Sequence, residues 1–89
     1  MQIEFDSISV RNGDRILAQV TEAVGKGDCV LDFSRVKSVD STALAVLLTA
    51  QRVARKTDKT LQLQHLPAQV GSLVKAYGVQ SLFPEISVP

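Results

Sequence analysis

The chain has 89 residues, 45% hydrophobic and 21% charged. That length allows one domain, spanning residues 1–89, and the apolar content excludes a disordered segment, which lacks the side chains to offset chain entropy. Ten basic residues against nine acidic leave a formal charge of +1, without the large basic excess of a nucleic-acid binder.

Met1-Gln2-Ile3-Glu4-Phe5-Asp6 has no basic region followed by an apolar core, so no signal peptide is expected and the protein reads as cytoplasmic. Ile3 and Phe5 alternate with Gln2, Glu4 and Asp6, the pattern of a short half-buried strand. Ile8 and Val10 alternate on the opposite parity, which places a bulge or break near Asp6-Ser7. Asn12, Gly13 and Asp14 are turn and cap residues. Ile16, Leu17, Val20, Ala23 and Val24 then recur at helical spacing, with Gly25 placed as a stop glycine.

Cys29-Val30-Leu31-Asp32-Phe33 is a nearly continuous apolar run, expected to be a central strand buried on both faces. Cys29 is the one cysteine, so there is neither a disulfide framework nor a cysteine-rich zinc site. Ser34 to Asp40 reads as a polar connection with Val36 and Val39 turned inward. Asp40 is placed to N-cap a second helix with Leu44, Leu47, Leu48 and Ala54 as its apolar stripe. Its Ala43–Leu48 stretch is the longest apolar run, six residues, against about 20 for a bilayer span, so no direct membrane insertion is expected. Arg52, Arg55, Lys56 and Lys59 gather at the end of this helix, where cations suit its dipole. The same stretch could touch an anionic lipid or an acidic protein face.

Thr60-Leu61-Gln62-Leu63-Gln64 alternates strictly and reads as a strand with one wet face. Pro67 is expected to be the first residue of a third helix with Val70, Leu73, Val74 and Tyr77 as its stripe. Gly78 ends it, with Val79 packing back on Val74. Leu82, Phe83 and Ile86 form a tail laid on the body. Strands alternating with helices imply an α/β fold with right-handed crossovers, a small mixed or parallel sheet and helices packed mainly on one face.

Among candidate chemistries, Asp40-Ser41-Thr42 places two hydroxyls in the first turn of a helix, where free amides and the dipole favour an anion or a phosphoserine. Plain capping accounts for the same triplet. Asp32 ends a strand like a phosphoacceptor aspartate, but the acidic pair such a site needs is missing from the first strand. A Ser41–His65–Asp triad can be written, yet no G-x-S-x-G elbow accompanies it. No metal-ligand spacing and no phosphate-binding loop occur. The expectation is a binding module without cofactor, metal or catalytic residues.

Leu31-Asp32-Phe33-Ser34 with Val39-Asp40-Ser41-Thr42-Ala43-Leu44 resembles the signature of the STAS domain family, the fold of sulphate-transporter tails and anti-sigma factor antagonists. Leu73-Val74-Lys75-Ala76-Tyr77-Gly78-Val79 is similar to that family's closing helix. Within the family the chain looks most like the small stand-alone STAS proteins of Mla phospholipid-transport systems, which maintain outer-membrane lipid asymmetry. That resemblance implies a cytoplasmic accessory subunit docked on the ATPase of an ABC transporter, with Asp40, Ser41 and Thr42 at the docking face and Tyr77 joining it. The antagonists imply an alternative partner, an anti-sigma factor kinase, with Ser41 as phosphoacceptor. Ala43 stands where the family has glycine, adding a Cβ where a partner backbone would approach. The family's opening hairpin is cut here to one strand, Gln2 to Phe5.

Overall fold

Hydrogen bonds from the first eight residues reach two later segments in turn. In the computed structural model, which describes residues 1–88, Gln2 bridges Asp32 in parallel sense, and Ile3 N–H donates to the Asp32 carbonyl at 2.9 Å. Farther on, β1 (Ser7–Ile8) pairs in parallel with β3 (Ser38–Val39). Only a single bridge, at Gln2, is made where a Gln2–Phe5 strand is expected, because the pairing segment ends at Phe33 and turns away. The parity break expected near Asp6-Ser7 is real: Ile3 and Ile8 are both buried. Val10, expected to continue the alternation, instead lies in a turn and is 82% exposed.

The central strand is β2 (Val30–Asp32), flanked by the Gln2 bridge and by β4 (Gln62–Gln64), its parallel neighbour. Its residues alternate in burial rather than being buried on both faces. Cys29, Leu31 and Phe33 are buried, while Val30 and Asp32 are half-buried. Register partners extend the pattern, with Leu31 opposite Leu63, and Asp32 opposite Gln2 on one side and Gln64 on the other. One sheet face is therefore apolar and the other carries Gln2, Asp32, Gln62 and Gln64. The Gln2 amide donates to the Ser34 hydroxyl at 3.1 Å across that polar face. The connection expected between Ser34 and Asp40 contains β3, which the two-residue pairing makes too short to show as periodicity.

Three helices cover the apolar face: α1 (Gly13–Gly25), α2 (Thr42–Lys56) and α3 (Ala68–Ala76). Ile16, Val20 and Val24 of α1, Val46, Leu47, Ala50 and Ala54 of α2, and Val70 and Val74 of α3 share one core with Ile3, Leu31 and Phe33. This is the α/β arrangement with parallel pairing expected from the alternation of elements. The α2 stripe is rotated from the expected one: Leu47 and Ala54 are buried, but Leu44 and Leu48 are half-buried, and Ala43, Val46 and Ala50 take the core positions.

Helix ends differ by a residue or two from expectation. Gly25 is the last helical residue of α1, and the left-handed stop is Gly27 at φ 102°. Asp28 N–H to Ala23 O and Gly27 N–H to Val24 O complete a Schellman motif there. Pro67 caps α3 from outside the helix, at ψ 142°, rather than opening it. Gly78 closes α3 as expected, at φ 66°, with Val79 N–H donating to Val74 O. Phe83 and Ile86 are buried, so the tail lies on the body, and the buried Gln51 amide donates to Leu82 O at 2.8 Å.

Candidate functional site

The start of α2 is built by Asp40. Its carbonyl accepts from Ala43 N–H at 3.0 Å, and its carboxylate accepts from Thr42 N–H at 2.8 Å. Ser41 already has helical dihedrals, φ −62° and ψ −15°, and its side chain makes no cap bond. Asp40 is thus the capping group, as its residue type and position imply. Hydrogen bonds from the Thr42 side chain, then from its backbone N–H, hold the Asp40 carboxyl below the usual carboxylate range. The Val10 N–H adds to them.

Two helix N-termini meet here. A Cβ built on Gly13, the first residue of α1, would lie 2.6 Å from Thr42 Cγ2, so only glycine permits this approach. The preceding loop is tied by Asn12. Its amide donates to Ser7 O at 2.8 Å and its carbonyl oxygen accepts from Ser9 N–H at 3.0 Å. These bonds hold Val10 outward at the loop tip, beside the Asp40 carboxylate that its amide faces.

Ser41 is exposed and Thr42 half-buried at the start of α2. Ala43 is fully buried, so the methyl that replaces the family's glycine turns into the core rather than toward an approaching partner. Tyr77 is 58% exposed at the opposite end of α3 from Gln69, whose side-chain oxygen accepts from Val39 N–H at 3.2 Å. Tyr77 lies eight positions past Gln69, about 12 Å along the helix axis. Asp40, Ser41 and Thr42 form one cluster, and Tyr77 stands apart from it along the helix layer. Val10 is the residue that sequence reasoning missed. Its signal was the Asn12-Gly13 turn just after it, which ends a strand before Val10 can continue one.

His65 pairs with Asp32, Nδ1 to Oδ1 at 3.0 Å, at the ends of β4 and β2. Its partner is Asp32, not Ser41. The Ser34 backbone N–H, then His65, hold the Asp32 carboxyl below its ordinary range. Among the described residues no group of three or more His, Cys, Asp or Glu could hold a metal ion. A cleft of about 760 Å³ lies between β4, α3 and the tail, lined by Leu63, Leu66, Ala68 and Val88. It includes none of Val10, Asp40, Ser41 or Thr42. The cluster at α2 presents an exposed hydroxyl, a capped helix start and an exposed valine.

A family model described as "Mlab, STAS domain" matches residues 7–84. No curated protein matches the chain.

Proposed function

The chain belongs to the STAS domain family, and from that premise we propose that it is the accessory subunit of an Mla-type phospholipid ABC transporter. STAS domains are non-catalytic modules that act by binding other proteins. The proposed partner is the transporter's ATPase subunit in the cytoplasm, engaged through Ser41, Thr42 and the Val10 loop, while Tyr77, at the far end of α3, stays outside this contact. The observation that carries the reading is the match to the Mlab type of STAS domain over 7–84. The exposed, unstrained setting of Ser41 supports it, since a partner can reach that residue without unfolding anything. Binding only the assembled state shifts the population toward it, which is how a non-catalytic subunit raises a transporter's activity.

The same exposed hydroxyl supports one other reading. A phosphate on Ser41 would sit at a helix N-terminus that stabilises negative charge, as an anti-sigma factor antagonist switched by a kinase requires.

The test measures folding and binding together. Ser41→Asp and Ser41→Arg should melt within about 1 kcal/mol of the parent, because Asp40 is the cap. Both should bind the ATPase at least about tenfold more weakly, roughly 1.4 kcal/mol. Unchanged affinity in both variants would move the docking face away from α2. Recovery of an anti-sigma kinase in place of the ATPase would support the second reading.

A further inference from the structure

The three helices run side by side in one sense. Gly13 meets Thr42 at one end of the α1–α2 pair, and Gly25 faces Val53 toward the other, where an added Cβ would lie 3.8 Å from it. Gln69, near the start of α3, is tied to Val39 just before α2, and Leu82, after α3, is tied to Gln51. The helix C-termini therefore share the end of the molecule opposite Ser41. Arg52, Arg55, Lys56 and Lys59 are all exposed there, and among the described residues none of them forms an ion pair. The Lys59 ammonium reaches across to Gly27 at the end of α1. Lys26 stands beside it, paired with Glu22 at 2.8 Å. The acidic groups in the neighbourhood are Glu22 in that pair, Asp28 paired with the N-terminal ammonium, Asp58, and Glu85, which lines a small cleft with Arg55 and Lys59.

A helix C-terminus carries about half a negative charge, which does not account for four free cations. The same end also holds Tyr77 and Leu82, 58% and 44% exposed. The other large exposed apolar residue, Val10, is at the far end. Cations beside an exposed leucine and an exposed tyrosine are the combination that a bilayer interface takes up, through attraction to anionic headgroups and shallow insertion of the apolar groups. Protein interfaces favour arginine and tyrosine too, but their centres are depleted in lysine, which supplies two of the four cations here. The overall charge of +1 gives nucleic acid no broad basic surface.

We propose that this end, Arg52, Arg55, Lys56 and Lys59 with Tyr77 and Leu82, docks on the surface of an anionic phospholipid membrane. The contact is peripheral: no helix among the described residues is long and apolar enough to cross a bilayer. It is separate from the Ser41 cluster, so the two surfaces can be engaged at once.

Vesicle co-sedimentation of the full chain tests it. Vesicles of phosphatidylcholine with about a third phosphatidylglycerol should retain the protein, and pure phosphatidylcholine vesicles should not. Retention should fall at least tenfold between about 0.05 M and about 0.5 M salt, as the Debye length shrinks. R52E/R55E should lose at least tenfold in partitioning, and L82S should lose a smaller, salt-insensitive part, with melting curves confirming that both fold. Ser41→Arg should partition like the parent while losing the ATPase, which keeps the two surfaces distinguishable. Equal binding to both vesicle types, no binding to the anionic ones, or parent-like binding by R52E/R55E overturns the proposal. So does tighter retention on single-stranded DNA or on a polyglutamate resin than on anionic vesicles, which would assign the cations to nucleic acid or to an acidic protein.

Discussion

Gly13→Ala tests the close approach on which the geometry of the α2 start depends. The added Cβ would lie 2.6 Å from Thr42 Cγ2, a separation that requires a shift. Rotating Thr42 would relieve the clash, but its hydroxyl helps to hold the Asp40 carboxyl below its usual range, and turning it away weakens that interaction. Overpacking of this kind costs about 1–3 kcal/mol. Alanine recovers about 0.5–1 kcal/mol of the backbone entropy that glycine loses in a helix. The net expectation is a loss of about 1 kcal/mol, which in a domain of this size lowers Tm by about 4–8 °C. Thr42→Ser removes the clashing methyl and keeps the hydroxyl. The Gly13→Ala/Thr42→Ser pair should therefore be more stable than the two single losses predict, by about 1 kcal/mol in a double-mutant cycle. Thermal melts followed by circular dichroism at neutral pH measure all four proteins. A Gly13→Ala protein that melts higher than the parent, with no coupling to Thr42, would refute the reasoning and remove the contact that joins the two helix starts.

Asp40→Ala should cost about 1 kcal/mol at neutral pH, the usual worth of a capping side chain, and Asp40→Asn less, since asparagine keeps an accepting oxygen. The folded-state pKa of Asp40 is depressed, so its contribution is present above the unfolded value of about 3.9 and is lost as pH falls through the folded one. The parent should lose stability below about pH 4 more steeply than Asp40→Asn, and parallel acid limbs in denaturant titrations would contradict this. At the end of α1, Gly25→Ala should be neutral or stabilising, since its Cβ would meet Val53 at an ordinary 3.8 Å. Gly27→Ala should destabilise by about 1 kcal/mol or more, because φ is 102° and Lys59 lies over it. Equal melting temperatures for the two variants would mean that Gly27 is not the stop. Leu47→Ala should cost about 2–5 kcal/mol and Leu44→Ala clearly less, in line with full against partial burial, and urea titrations with equal midpoints would contradict the observed rotation of the stripe.

The sequence by itself determined the order and type of the main elements, because each depends on patterns a few residues long. Ile16, Val20 and Val24 repeat at helical spacing, and Leu61 and Leu63 alternate with glutamines, whatever packs against them. Asp40 as cap and Gly78 as stop were equally legible, since both act on neighbouring amides and carbonyls. Tertiary structure decided what depends on distant partners. The sequence points to Gly25 as the stop, and the chain turns instead at Gly27, which lets Asp28 lead into β2. Strand β3 is two residues long and exists because Ser7–Ile8 lies beside it. Val30 and Asp32 are only half-buried because all three helices settle on the other face of the sheet, a choice that an apolar run of five residues does not record. At the site, the hydroxyls of Ser41 and Thr42 were visible from the start. That Ser41 faces solvent while Ala43 turns inward follows from the rotation of α2 about its axis, set by Val46, Leu47 and Ala50 meeting a core that the other elements supply. Val10 is exposed for the same kind of reason: Asn12 closes the loop onto Ser7 and Ser9, and an alternation that reads as a strand has no neighbouring strand to pair with.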